Sequence, residues 1–303
     1  MAEQWRAQFD AEVTFANGGG LRTEGFRLDI PGREISDDDL GVLFVRHLGL
    51  LMVAEVRITE KTIIEEPHKG GRGVVTGAPT GRRLVELSHV IRDGMTTLPG
   101  WPAPRITDWL TREASRANYA PGTEFHVARI EMIANTGTHL DTPSHRWSDG
   151  VDLSGMPLDR LADLPGVLVR VPAGTRAVDR LLLAPYDVAG RAVLLQTGWD
   201  AHFGTDRYGA PDAPYLTGEG ARWLVDAGAA LVGIDSINID DMSPAAAGER
   251  PAHSSLLAAG IPIVEHLTGL DALPPTGFRF TAAPPRVAEM GTFPVRAFAV
   301  VAR

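Results

Sequence analysis

The sequence predicts an α/β fold with a small α+β extension at its N-terminus. Three observations lead there. The second half alternates apolar, strand-like runs with helix-like periodic segments, the order that a parallel crossover requires. Residues 1–66 hold strand, turn and helix signals of their own, and so read as a separate small unit. Between the two, residues 67–82 are rich in Gly and Pro and poor in large apolar side chains, which marks a linker ahead of a main domain over 83–303. The 303 residues are 44% hydrophobic and 22% charged, values that fit a folded chain with an ample core and not a disordered one.

The elements follow in order. EVTFANGGGLRTEGFRLDI reads as two strands around a turn, because Asn17-Gly18-Gly19-Gly20 tolerates positive φ. These glycines match neither spacing of a phosphate-binding loop. Ser36 followed by Asp37, Asp38 and Asp39 marks a helix start, with a cap and acids at the positive end of the dipole. Leu40, Leu43, Phe44, His47 and Leu48 continue it at helical spacing, and LLMVAEVRI follows as a strand. Further along, AVLLQTGW (192–199) is a strand ending at a glycine turn. Thr217 to Ala227 is a capped helix stopped by Gly228, and ALVGIDSI is the next strand. Ser254 to Ala259 is a short helix stopped at Gly260, and IPIVEHL a short strand with Glu265 near its end. FRFTA (278–282) and VRAFAVVA (295–302) are late strands.

Composition removes several function classes. There is no cysteine, so disulfide frameworks, Cys-ligated metals and thiol nucleophiles are excluded. Any metal is left to His, Asp and Glu. The net charge of -9 comes from 38 acids and 29 bases without a long basic run, so nucleic acid is not an expected partner. The start MAEQWRAQFDAEV lacks the pattern of a signal peptide, and the apolar run Leu48 to Ala54 is too short for a bilayer. A cytoplasmic protein without a membrane partner is the expectation. No HExxH helix and no GxSxG elbow occurs.

The densest polar cluster in an apolar setting is IEMIANTGTHLDTPSHRW, residues 130–147. Asn135, His139, Asp141 and His145 share odd parity, which in an extended segment directs them to one face. His139 and Asp141 at i and i+2 then offer an imidazole and a carboxylate to one ion, a set suited to Zn²⁺, Mn²⁺ or Fe²⁺. Gly137 permits a close backbone approach and Pro143 stiffens the following turn. The same row also reads as the solvated face of a surface strand. His253 and Glu265 are later candidates, each with a plainer alternative as a helix cap or a strand-end acid. Asp235 and Asp240 end a predicted strand and read more readily as turn caps than as ligands. His68, in the linker, reads as an exposed residue before it reads as a ligand.

This segment resembles the cyclase family of metal-dependent hydrolases, which includes bacterial kynurenine formamidases and isatin hydrolase. The family signature His-x-Gly-Thr-His-x-Asp-x-Pro-x-His is met here by Asn135-Thr136-Gly137-Thr138-His139-Leu140-Asp141-Thr142-Pro143-Ser144-His145. Further matches are LSHVIRDGM with PGWP (87–103), LLQTGWD (194–200), LVGIDSINID (231–240), His253 with Leu256-Leu257, IPIVEHLTGLDALP (261–274) and the closing FPVRAFAV. They fall in order between about residues 84 and 302, and several independent blocks in order are far more specific than any one of them. The N-terminal unit lies outside them.

The resemblance implies a swivelling β/β/α fold and a homodimer or homotetramer. It implies that His139, Asp141, His253 and Glu265 are metal ligands, with Asp141 bridging if two ions bind. His145 would be the non-ligand histidine that shuttles a proton. One position departs from the signature: Asn135 stands where a histidine is expected, and an amide oxygen is a weak, hard ligand. That favours one ion, zinc or manganese, over two, and leaves Asn135 either to orient a substrate carbonyl or to serve structurally. The implied activity is hydrolysis of a small amide, formamide or cyclic amide, at a carbon–nitrogen bond other than a peptide bond, by hydroxide generated on the ion. A polyketide-type cyclase or dehydratase is the alternative with the same pocket. A decayed binding protein has only Asn135 in its favour. Trp101, Trp147 and Trp199 either stack on an aromatic small-molecule substrate or, the preferred reading, pack. Arg146 either pairs with an anionic substrate group or joins a surface ion pair.

Overall fold

The computed structural model describes residues 5–30, 32–65 and 81–302. The expected linker over 67–82, except Gly81 and Arg82, and His68 within it lie outside the described residues. The chain divides into two compact units, Met1–Gly77 and Ala78–Arg303.

The first unit contains β1 (Trp5–Phe15), β2 (Gly20–Ile30), α1 (Asp37–Leu48) and β3 (Val53–Glu65), with β1 in the centre and antiparallel to both neighbours. Alternate residues of β1, namely Ala7, Phe9, Ala11 and Val13, are buried in one cluster with Leu40 and Phe44 of α1. Ser36 caps the helix by accepting from the Asp39 amide, and Gly49 in the left-handed region closes it. These are the termini that the residue types call for.

The second unit opens with β4 (Arg82–Glu86), β5 (Arg105–Leu110), α2 (Arg112–Ser115), β6 (Val127–Glu131) and β7 (His139–Asp141). Then come β8 (Leu164–Arg170), β9 (Ala177–Val178), α3 (Arg180–Leu183), β10 (Ala192–Gln196), β11 (Tyr215–Leu216), α4 (Gly218–Asp226) and β12 (Leu231–Ile234). It ends with α5 (Pro251–Ala258), β13 (Ile263–Glu265), β14 (Thr276–Thr281), β15 (Thr292–Pro294) and β16 (Phe298–Ala302). Nine strands form one sheet in the order β15-β7-β13-β12-β10-β8-β14-β16-β4. The inner four, β13 to β8, are parallel, as the strand–helix–strand pattern of β10, α4 and β12 required; the flanking strands are antiparallel. Val167, Val169, Val193 and Leu195 face the cluster that holds Leu224 of α4 and Leu256 of α5, whereas Leu168 and Leu194 face a second cluster with Phe278 and Phe280. Burial on both faces is why these strands read as continuous apolar runs. No helix among the described residues is long and apolar enough to cross a membrane.

Two expectations are corrected. The helix assigned to Ser254 onward starts at Pro251, because the fixed φ and missing N–H of proline suit the first helical position. His253 therefore lies inside its first turn. The segment around the signature is extended only over His139–Asp141; Asn135 lies on a turn and His145 ends a short 3-10 turn, Pro143–His145. Gly137, at φ +62, and Pro143 break the strand on either side. Strand parity thus explains His139 and Asp141 but not Asn135 or His145.

Candidate metal centre

Three adjacent strands and one helix build the site. Across the β7–β13 pair Glu265 stands opposite His139, and across β7–β15 Thr292 stands opposite Asp141. The helix α5, in the crossover between β12 and β13, adds His253. His139 Nε2 lies 3.8 Å from Asp141 Oδ2 and 3.4 Å from Glu265 Oε2. His253 Nε2 lies 3.6 Å from Asp141 Oδ2 and 3.6 Å from Glu265 Oε1. An ion held tetrahedrally at about 2.0–2.1 Å needs donors separated by about 3.4 Å, so the spacing suits a divalent ion. Asp141 Oδ2 is buried with no hydrogen-bond partner, which leaves a lone pair for a cation. Four pairs among the expected ligands are thus close, and the donor types fit such an ion; donors that all lie within 4.8 Å of one another form two adjoining groups, His139 with Glu265 and His266, and Asp141 with His145 and His253.

The neighbours of these residues fix which atoms face the centre. His139 Nδ1 donates to the Gly137 carbonyl at 2.9 Å, and His253 Nδ1 donates to Asp240 Oδ2 at 2.7 Å. A carbonyl and a carboxylate only accept, so each Nδ1 holds its proton and, in the neutral ring, Nε2 carries the lone pair toward the cluster, the arrangement that metal-ligating histidines adopt. Asp240 also accepts from the backbone N–H of Ala252 and of His253, and so caps α5 while it orients the histidine. Asp235 accepts from the amides of Thr197 and Gly198 and caps a turn; burial pushes its carboxyl up to about 6. Glu265 Oε1 accepts from the Ile239 amide at 2.6 Å. The Asn135 amide lies 3.2 Å from His139 Nε2 and so points into the centre.

His145 stands beside this set and is set apart by its partner. Thr292 Oγ1 lies 2.5 Å from Asp141 Oδ1 and 2.7 Å from His145 Nδ1. Its single proton goes to the carboxylate, which only accepts, so the hydroxyl accepts from His145 Nδ1–H. The lone pair of His145 is thereby placed on Nε2, 3.9 Å from Asp141 Oδ1. The preceding Gly291 packs against the turn that carries the histidine: a Cβ there would come within 2.2 Å of the His145 backbone nitrogen. Thr292→Val is expected to lower turnover about 10–100-fold, the usual cost of losing an orienting partner, and to alter the pH–rate profile; Thr292→Ser restores both. An unchanged profile and rate for Thr292→Val would remove the residue from the mechanism.

The electrostatics are those of mutually dependent buried charges. Burial alone would lower His253, but contact with Asp141 and Asp240 and the charge of Glu265 push it up to about 10. His139 is raised in the same way, against burial, by Asp141 and Glu265. Asp141 is held well below the usual carboxylate range: burial opposes this, and the charge of His139 and the approach of His253 outweigh it. Behind them, His266 is fully buried at φ +55, an uncommon conformation for such a side chain, with Nδ1 2.7 Å from the Tyr208 hydroxyl. Burial and the charges of His139 and His89 drive it well below the usual histidine range.

A cavity of about 210 Å³ opens on the centre and is lined by Leu98, Trp101, Met242, Arg146 and Arg250 together with Asn135, His139, His145, His253 and Glu265. Trp101 is thus placed to meet a substrate. Trp147 and Trp199 are not. Trp199 is buried with Tyr208 and Ile237 and donates its indole N–H to the Tyr208 carbonyl. Trp147 packs against the core under α4 and α5 and carries the Arg146 guanidinium 4.4 Å from its ring centroid. Their apolar area packs within the fold, the preferred of the two readings, and the alternative of a substrate contact in this cavity is set aside for both. Sequence reasoning missed Thr292, the bond from Asp240 to His253, and Arg250. Only the position of Arg250 three residues before His253 offered a signal.

Fold and site together describe an α/β protein whose buried imidazole–carboxylate centre fits a divalent ion. The chain belongs to the putative cyclase family, whose profile matches residues 85–241, just over half of its length. It is 29% identical over 209 residues to a kynurenine formamidase of Erythrobacter litoralis, covering 69% of this chain and 89% of that one. With a kynurenine formamidase of Paracidovorax citrulli it shares 28% over 222 residues, covering 72% and 96%. Among solved structures, isatin hydrolase A from Labrenzia aggregata superposes with a TM-score of 0.61 at 24% identity, over 73% of this chain and 94% of that one. The resemblance drawn from the signature is thereby shown, and the fold is that of the cyclase family.

Proposed function

We propose that this protein is a metal-dependent hydrolase of a small amide, formamide or cyclic amide, acting on a carbon–nitrogen bond other than a peptide bond. The observation that carries this is the four imidazole–carboxylate contacts of 3.4–3.8 Å that link His139 and His253 to Asp141 and Glu265, beside a cavity and with an oriented histidine next to them. The kynurenine formamidases among its relatives support the same chemistry. His139, Asp141, His253 and Glu265 hold the ion, zinc or manganese. When bound, such an ion acidifies a water and polarises a carbonyl. His145 Nε2 takes the proton of the attacking water and returns it to the departing nitrogen as the carbon–nitrogen bond breaks. Asn135, beside His139, presents an amide that hydrogen-bonds the substrate and contributes no third imidazole, so one ion binds per chain. Leu98, Trp101 and Met242 give the substrate body an apolar wall.

The test is to strip the protein with chelator, reload it with zinc or manganese, and offer it formanilide, a lactam and an ester. Restored amide hydrolysis with one ion per chain is expected. Two tightly bound zinc ions would overturn the single-ion assignment. Failure on every amide, with turnover of a poly-β-ketone, would favour the cyclase or dehydratase reading. The proposal includes a homodimer or homotetramer. Strands β5 and β6 pair only with each other and leave Ile106, Trp109, Val127 and Ile130 exposed, and a two-stranded ribbon with apolar faces is poorly stable unless something covers it. A monomer in sedimentation at micromolar concentration would exclude this.

A further inference from the structure

We propose that Arg146 and Arg250 form an anion-recognising wall of the catalytic cavity, so that the substrate carries a carboxylate or similar anionic group near the scissile amide. This rests on the hydrolase reading above and adds the class of substrate to it.

Both arginines line the same cavity as His139, His253 and Glu265, and neither has a carboxylate partner among the described residues. Arg146 is steadied by Ser254 Oγ, at 3.3 Å from its Nε, and by the Trp147 ring. Arg250 donates to the backbone carbonyls of Glu249, at 2.8 Å, and Asp241, at 3.4 Å, and touches Met242 Sδ. Some arginines of the unit are matched, among them Arg176 with Asp241, Arg207 with Asp212, Arg279 with Asp163 and Arg296 with Glu86, and others are not. What sets Arg146 and Arg250 apart is their place: both line the cavity that His139, His253 and Glu265 line. The Asp241 carboxylate, which could have answered Arg250, is taken by Arg176.

The charge count at the centre sharpens this. Asp141 and Glu265 balance a divalent ion, and ligating imidazoles are neutral. The two arginines then leave the cavity with an uncompensated positive charge, which an anionic substrate neutralises. Both arginines sit on the elements that hold the chemistry. Arg146 follows His145, and Arg250 immediately precedes α5, which carries His253. Their distance from the reacting carbonyl is therefore set by the same backbone that sets the ligands. A guanidinium fork matches a planar carboxylate, and a charge-assisted bond in a confined site discriminates strongly against a neutral isostere.

The experiment compares 2-formamidobenzoate with formanilide on the zinc-loaded full chain. The ratio of kcat/KM values is expected to favour the carboxylate by about 10–100-fold, the range of a hydrogen bond to a charged group. Arg250→Gln and Arg146→Gln should each lower that ratio about tenfold, mainly through KM, with Arg250→Lys between them and the parent. Arg191→Gln, whose side chain pairs with Asp187 on the surface, is the control and keeps the ratio. Calorimetry with anthranilate and aniline runs in parallel. Tighter binding of anthranilate that weakens in Arg250→Gln or Arg250→Lys supports the proposal even if neither formamide is hydrolysed, an outcome that would sink the hydrolase reading alone. Hydrolysis of both formamides at equal efficiency would overturn the proposal and leave that reading standing. So would anthranilate binding that the arginine variants do not change.

Discussion

Asp141→Ala is expected to lose the ion and, with it, essentially all turnover. The carboxylate is fully buried at the middle of the cluster. One of its oxygens accepts from Thr292 and the other, unpartnered, lies 3.6–3.8 Å from the Nε2 atoms of both ligating histidines. Removing it takes away a charged donor and the acceptor that fixes the direction of the Thr292 hydroxyl. The first loss weakens the chelate. The second frees Thr292 to donate to His145 Nδ1, which would move the imidazole proton to the wrong nitrogen. Loss of an outer-shell partner alone costs about 10–100-fold in affinity, so loss of this ligand should exceed about 100-fold. Asp141→Asn keeps the volume and separates the effect of charge from that of packing. Metal analysis after gel filtration, with circular dichroism to confirm folding, measures this. Wild-type metal content in both variants would remove Asp141 from the ligand set.

The centre was legible in the sequence where its geometry is local. His139 and Asp141 are neighbours on one face of one strand, and i, i+2 spacing states that directly. Ser36 and Gly49, or Thr217 and Gly228, mark helix ends by their own chemistry. Legibility failed where a contact crosses the sheet. Thr292 meets Asp141 because β15 pairs with β7, at a separation of 151 positions, and nothing in a lone threonine announces it. The parity of Asn135 and His145 pointed to two residues that line the cavity, but through a strand that does not extend so far: turns on both sides bring them in. Asp240 read as a cap, as it is, but its hold on His253 depends on α5 starting at Pro251. The tryptophans read first as packing residues, and for Trp147 and Trp199 the burial agrees. Trp199 stands within a matched block, yet its indole N–H is satisfied inside the core, and a satisfied, buried indole has nothing left for a ligand.

His145→Ala should keep the ion and lose turnover by about 10²–10⁴-fold, the usual contribution of a positioned acid–base group. The structure offers two arrangements for this residue. Its ring nitrogens, together with donors of Asp141 and His253, are close enough to hold an ion themselves. Yet its Nε2 is 3.9 Å from Asp141 Oδ1, on the side of the carboxylate that Thr292 occupies, and not beside Oδ2, where the Nε2 atoms of His139 and His253 converge. The side chain is also 35% exposed, whereas those of His139, Asp141, His253 and Glu265 are 7% or less. A proton shuttle must exchange with solvent between turnovers, and a ligand need not. Exposure also gives the experiment a second readout. Added imidazole can reach the space left by the alanine and should restore part of the rate in His145→Ala, but none in Asp141→Ala. Retained metal with rescue fixes His145 as the acid–base group. Metal loss equal to that of Asp141→Ala, without rescue, would make it a fifth ligand and leave proton transfer to another residue.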